Sequence, residues 1–337
     1  MSTDVTTAAP SRGRRRRFSQ LSRRDKSVLA VMVGIPSLLH IVFVWFPTLM
    51  TVLLSFTKWD GFAPISDIKN AGGKNYWEIF TVFEEKLFAA LFNNVILLAF
   101  LFIGPSLFGI LLAYLLDKNI RGTRIYQSIY YFPVVLSLAV VGIIWKSVMF
   151  SQRQGLLNHT WSTLGNHAIL GQTKPIDFIG DSTKVFTFHI PFLDSALGPS
   201  RNFLAILLAI AWRHTGYIMV LYLAGLKSVD PALREAAAID GCNEIQAFRN
   251  VVFPTLKPIN VIVMVITVIE ALRTYDIVAA LNAPVGMELI SLLVTNNLLG
   301  EGGGNVGRGS AYGVVLILLC IGFIIWYLAN HYREEQL

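Results

Sequence analysis

Six long apolar stretches, separated by polar segments of unequal length, organise the chain of 337 residues. They fall at about 28–56, 88–116, 125–150, 203–226, 259–281 and 311–331. Each holds the roughly 20 mostly apolar residues that a helix needs to cross a bilayer. The expected fold class is an all-α membrane protein: six transmembrane helices forming one membrane domain over 28–331. Pro36 and Pro47 should bend the first span, and Gly109/Ala113 and Ala205/Ala209 are small-residue pairs that let helices approach closely. An even number of spans places both termini on one side of the membrane.

Between the fourth and fifth spans lies a polar island, EAAAIDGCNEIQAFRNVVFPTLKP (235–258), in which the pattern changes. Asp230-Pro231 reads as a helix start, because Asp caps free N–H groups and proline fits the first turn. Glu235 then lies near the positive end of that helix dipole. Asp240-Gly241 reads as a tight break, since glycine tolerates the left-handed backbone that stops a helix. A second short helix should follow, with Ile245, Phe248 and Val252 on one apolar stripe, ended by Pro254. The product over 231–253 is a helix–turn–helix outside the bilayer with one apolar face offered to a partner.

Composition supports this picture, with 54% hydrophobic residues and a mean hydropathy of +0.57. Lysine and arginine set the orientation. The tail 1–27 carries Arg12, Arg14, Arg15, Arg16, Arg17, Arg23, Arg24 and Lys26. The second connection holds Lys118, Arg121 and Arg124, and the fourth holds Lys227, Arg234, Arg249 and Lys257. The connection 282–310 has only Arg308. Both termini and residues 227–258 are therefore expected in the cytoplasm. The arginine run is read as contact with anionic lipid, with no nucleic-acid role. The rest of the tail is small and polar and expected to be disordered. The first apolar run is too long for a cleavable signal. Cys242 and Cys320 lie at different depths and form no expected disulfide, and no Cys/His group has metal-ligand spacing.

The island resembles the cytoplasmic loop of binding-protein-dependent ABC importer permeases, whose pattern is EAA, a Gly, then a hydrophobic stretch ending in Pro. The matching residues are Glu235, Ala236, Ala237, Asp240, Gly241, Phe248 and Pro254; Cys242 and Phe253 stand where the family more often has alanine and leucine. The resemblance covers most of 90–325. It includes Tyr131-Phe132-Pro133, Trp145, Gly155 with Asn158, Ala211-Trp212-Arg213, Leu223-Ala224-Gly225-Leu226 and Thr274-Tyr275-Asp276-Ile277. After that last element the family has Thr and Gly-Gly-Pro, where this chain has Leu281-Asn282-Ala283-Pro284.

The resemblance points to the carbohydrate-import branch, on the side of the maltose-permease-like subunit. It implies a loop that docks on a separate ATP-hydrolysing subunit and couples its motion to the spans. It further implies a second homologous permease, a dimer of ATP-binding subunits, and an extracytoplasmic solute-binding protein. ATP and Mg would be bound by the partner ATPase, with no cofactor in this chain. The location implied is the cytoplasmic (inner) membrane of a prokaryote.

Chemistry inside the membrane concentrates in the fifth span. Glu270, Arg273 and Asp276 recur every three residues, on one broad helix face. Ionisable groups are expensive in a bilayer, so they face protein or water, or pair with each other. Two readings stand: an ion network that fixes packing, or a polar lining for a hydroxyl-rich solute, with Tyr275 stacking on a sugar ring. Arg213 is expected to partner Asp276 or Glu270, and a proton-relay role for His214 is the sharper alternative to packing. The GEGGGNVGRG run at 300–309 lacks the GK[ST] ending of a phosphate loop and reads as a flexible exterior loop. Asn158-His159-Thr160 is a three-residue glycosylation match with little specificity. With no Walker motif, Ser/His/Asp triad, HExxH or Rossmann fingerprint, no catalytic residue is expected. An ion-gradient-driven secondary transporter is the rival reading, but it leaves the polar island unexplained and calls for matching halves.

Overall fold

The computed structural model describes residues 22–118, 120–167, 174–189, 196–281, 286–300 and 304–334. The chain divides into two units, 1–53 and 54–337. Helix α1 (Arg23–Leu54) accounts for the described part of the first. It begins at Arg23 because Ser22 and Asp25 form a capping box, each side chain bonding the other's backbone N–H at 3.1 Å. Residues 23–27 are thus helical, not part of a disordered tail; residues 1–21 lie outside the described ones. The two prolines leave α1 continuous over 32 residues. Pro47 follows a π-turn at Ile41–Trp45, where a wider ring of hydrogen bonds makes room for a residue without an N–H.

In the second unit the described helices are α2 (Lys74–Thr81), α3 (Glu84–Asp117), α4 (Thr123–Val135), α5 (Leu138–Met149), α6 (Leu156–His167) and α7 (Arg201–Ser228). They continue as α8 (Pro231–Ile239), α9 (Glu244–Thr255), α10 (Lys257–Arg273), α11 (Asp276–Leu281), α12 (Ile290–Leu299) and α13 (Val306–Glu334). A short antiparallel pair joins Thr57–Lys58 to Lys69–Asn70. Helices α1, α3, α7 and α13 are each long and apolar enough to span a membrane, and two bent pairs bring the total to six if each is one span.

Two expected spans are broken. The third divides into α4 and α5, bent by 104°, because Leu136 is extended and Ser137 caps a new helix, accepting from Val140 N at 3.3 Å. The fifth stops at Arg273: Thr274 is extended at φ −60° and ψ 107°, and α11 restarts at Asp276. Neighbours satisfy the freed groups, since Thr274 Oγ1 donates to Glu270 O at 2.7 Å and the Ser291 hydroxyl donates to Thr274 O. At its other end α10 joins α9 through a 74° bend. The last span starts at Val306, so residues 306–309 of the glycine-rich run are helix and not exterior loop; 301–303 lie outside the described residues.

Helix α7 is central. Its Phe203, Ile206 and Ile210 pack with Leu97 and Leu101 of α3, Val141 of α5 and Ile277 of α11. One turn after another further along, Ile218, Met219, Tyr222 and Leu226 pack with Leu112, Ala113 and Leu116 of α3 and with Val252 and Leu256 of the α9–α10 corner. Gly109 permits the α3–α7 approach, for a Cβ there would lie 3.0 Å from Ile218 and from Thr215 O. Ser106 Oγ donates to Leu101 O at 2.7 Å, the carbonyl that Pro105 cannot serve. Buried amides tie the remaining segments. Asn94 donates to Ala271 O at 2.8 Å and accepts from Ile290 N at 3.1 Å, and Asn158 bonds Ser151 O and both backbone groups of Ile176. That employment accounts for Asn158 better than a glycosylation site does.

Candidate functional site

Local chemistry builds the α8–α9 hairpin. Asp230 accepts from Ala232 N at 3.0 Å and Pro231 occupies the first turn of α8. The helix closes with a Schellman pair: Gly241 N bonds Ala238 O at 3.1 Å and Cys242 N bonds Ala237 O at 3.0 Å. Gly241 sits at φ +80°, as that motif requires. Asn243 and Gln246 then form a reciprocal capping box for α9, both bonds at 2.9 Å, a signal (N-x-x-Q) present in the sequence but not read there.

Two features of the hairpin depart from expectation. Pro254 does not end α9; a π-turn at Phe248–Val252 precedes it and the helix runs on to Thr255. The apolar stripe also divides. Val252 is buried and Phe248 half-buried, its ring 4.8 Å from Tyr114 of α3 and 6.2 Å from Phe253. Ile245 is 74% exposed, and Ile239, just before the turn, is 86% exposed. Of the other pattern residues, Ala237 is buried while Glu235, Ala236, Asp240, Gly241 and Pro254 are exposed. Phe248 and Ala237 therefore seat the hairpin on its own chain, and the most exposed of its large apolar side chains are Ile239 and Ile245, with Leu233 exposed to a lesser degree.

Ion pairs add to that seat. Arg234 Nη1 meets Asp117 Oδ2 at 2.7 Å, and Lys118 Nζ pairs with Glu244 Oε2. Lys118 also lies over the Tyr114 ring, 4.7 Å from its centroid. Bonding to Glu244 and then to Tyr114 raises the Lys118 pKa, and the same ammonium holds the Glu244 carboxyl below its usual range. A cavity of about 240 Å³ opens between these groups, Ala238 and Cys242.

The second candidate site lies between α7 and α10. Glu270 Oε1 accepts from Arg213 Nη1 at 2.8 Å, and Glu270 Oε2 lies 2.7 Å from Nδ1 of the fully buried His214. On the far side of the ring, Nε2 is 3.5 Å from Ser106 Oγ and 3.4 Å from Thr267 Oγ1. Arg213 thus partners Glu270 and not Asp276. The shared face of Glu270, Arg273 and Asp276 does not exist, because the helix ends between the last two. Arg273 and Asp276 are exposed and, among the described residues, form no ion pair; Tyr275 is half-buried. A cavity of about 260 Å³ is lined by Arg213, Tyr217, Glu270, Arg273 and Thr274 on its polar side and by Leu138 and Ile269 on its apolar side. Tyr275 and Asp276 are not part of that lining; Tyr217, one helical turn past Arg213, supplies the aromatic group that Tyr275 was expected to supply.

Comparison with known proteins follows the same lines. The chain is 28% identical over 308 residues to the xylose/arabinose import permease XacH of Haloferax volcanii, covering 90% of this chain and 88% of that protein. It is 27% identical over 326 residues to the trehalose/maltose transport system permease MalF of Thermococcus litoralis, covering 94% and 98%. Among solved structures, a chain of a bacterial ABC transporter that imports the acidic polysaccharide alginate has the same fold, with TM-score 0.70 at 17% identity, covering 93% of this chain and 96% of that one. Residues 105–333, from Pro105 within α3 to the last turn of α13, match the family model for inner membrane components of binding-protein-dependent transport systems. The chain belongs to that family.

Proposed function

We propose that the chain is the membrane-spanning subunit of an ATP-driven importer of sugars or related polyols, and that the α8–α9 hairpin is where a separate ATPase engages it. The observation that carries the second half is the hairpin itself: a capped, Schellman-closed turn seated by Ala237, Phe248 and Val252, with Ile239 and Ile245 left outward as apolar knobs. Apolar side chains that exposed on a polar, well-ordered turn fit a groove on a partner. The turn and both termini then face the cytoplasm, as the Lys/Arg pattern requires. Named relatives that carry xylose, arabinose, trehalose or maltose support the solute class.

The full assembly contains this chain, a second homologous permease, two ATP-binding subunits holding ATP and Mg, and an extracytoplasmic binding protein that delivers solute. The solute path passes the cavity at Arg213, Tyr217, Glu270 and Arg273, where paired donors and acceptors match adjacent hydroxyls. Nucleotide-driven closure of the ATPase moves the hairpin, and the spans exchange access from one face to the other.

The test is uptake of labelled pentoses and disaccharides into proteoliposomes holding the whole complex, with ion gradients collapsed by ionophores. Uptake that requires internal ATP and the binding protein is the expected result. Uptake that persists without ATP and follows an imposed gradient would refute the proposal in favour of a secondary transporter.

A further inference from the structure

Residues Asp117 and Lys118 end α3 with adjacent opposite charges, and each finds its counter-ion on a different arm of the hairpin. Asp117 holds Arg234 of α8, and Lys118 holds Glu244 at the first turn of α9. Arg234 does more than pair: its Nη2 donates to Leu226 O at 3.3 Å, one of the last carbonyls of α7, which have no partner within the helix. One guanidinium therefore joins the ends of α3 and α7 to α8. Asp117 is nearly buried and sits at the negative end of its helix, where a carboxylate is poorly placed without a cation. Glu244, by contrast, sits at a helix N-terminus that favours it. The two pairs run in opposite senses, so the hairpin seats in one orientation only; reversed, it would set Arg234 against Lys118 and Glu244 against Asp117.

We infer that Asp117, Lys118, Arg234 and Glu244 form a charge-keyed clamp that carries displacement of the hairpin into α3 and α7. This rests on the hairpin being the ATPase contact, and it makes these four positioning residues, none of which touches solute or nucleotide. Without the clamp, Phe248 and Val252 still hold the hairpin by a greasy seat that can roll. With it, α8 and α9 cannot move unless both helix ends follow.

The measurement is solute moved per ATP hydrolysed in proteoliposomes of the complete complex, alongside subunit stoichiometry after purification. Asp117→Arg and Lys118→Glu each set like charges face to face and should lower that ratio about fivefold or more, with ATP hydrolysis and stoichiometry retained. The swaps Asp117→Arg/Arg234→Asp and Lys118→Glu/Glu244→Lys should restore at least half of it. If Asp117→Arg fails to assemble, the more exposed Lys118–Glu244 pair carries the test alone. An unchanged ratio in the single variants, or swaps that recover nothing, overturns the clamp. A wild-type complex without ATP-dependent uptake overturns instead the functional reading beneath it.

Discussion

Replacing Glu270 with glutamine removes a charge and almost no volume, so its effect reads the α7–α10 ion network directly. The carboxylate takes two bonds, 2.8 Å from Arg213 and 2.7 Å from His214, on a side chain only 13% exposed. Glutamine offers one acceptor oxygen and turns an NH₂ toward the second donor. Removing one member of a buried pair costs about 3–5 kcal/mol, because the other charge is stranded. Arg213 is 26% exposed, and that contact with solvent argues for the lower end, about 3 kcal/mol. Each 1.36 kcal/mol is tenfold, so the folded-to-unfolded ratio should fall roughly a hundredfold. The assay is SDS titration of the purified complex in mixed micelles, followed by uptake. Arg213→Met/Glu270→Gln should recover about half of the loss or more, since methionine removes the stranded cation and the glutamine still serves His214. A Glu270→Gln variant as stable as wild type would refute the view that this network joins the two helices. The double variant also separates the two roles: restored stability with altered solute selectivity assigns Arg213 and Glu270 to the lining, and restored stability with unchanged uptake leaves them as packing alone.

Other consequences are open to direct measurement. Gly241→Val should strain the turn by about 1–2 kcal/mol through its positive φ alone, since a Cβ there meets nothing within 4 Å; uptake per ATP should drop, and Gly241→Asn should keep more of it. Gly216→Ala would place a Cβ 2.0 Å from Tyr130 O, forcing α4 away from α7, with a loss of about 1–3 kcal/mol visible as a lower melting temperature in detergent. Arg273→Gln should raise the KM for solute more than it lowers the maximal rate, without changing complex stability, because the side chain lines the cavity and is unpaired among the described residues. Asp181, held down to about 2 by the Thr183 hydroxyl and amide and then by Arg201, stabilises its loop fully above its ordinary 3.8 and loses that contribution as pH falls toward 2. Protection of the Thr183 amide, the slowing of its exchange relative to an unstructured peptide at the same pH, should therefore stay high just above pH 3.8 and fall toward pH 2, while Asp181→Asn is weakly protected throughout.

Signals confined to neighbouring residues were legible in the sequence, and pairings between distant ones were not. Asp230-Pro231 and Asp240-Gly241 each act on their own backbone, so both ends of α8 could be read from four residues. The six apolar stretches were equally plain, because burial in a bilayer demands composition more than pattern. Thr274 and Leu136 break helices without carrying any breaker chemistry; their extended backbones depend on Ser291 and Ser137 to satisfy the groups they free. Arg234 was visible only as one more cytoplasmic cation, since its partner Asp117 lies 117 positions away. The same distance problem placed Tyr275, not Tyr217, beside the charges: a helix assumed to continue through Thr274 projects the wrong side chain.

The π-turn at Phe248–Val252 also gives the hairpin a property that an unbroken helix lacks. Such a turn holds one residue more than α-geometry needs, and one residue corresponds to about 100° of rotation and 1.5 Å of rise. Losing Asn250 would let the segment wind as ordinary helix, with Ile245 and the Gly241 corner keeping their facing relative to Val252, because the wide turn already absorbs the extra residue. A single codon lost at this spot thus leaves Ile239 and Ile245 aimed as before, whereas the same loss in a regular α-turn would rotate them by about 100°.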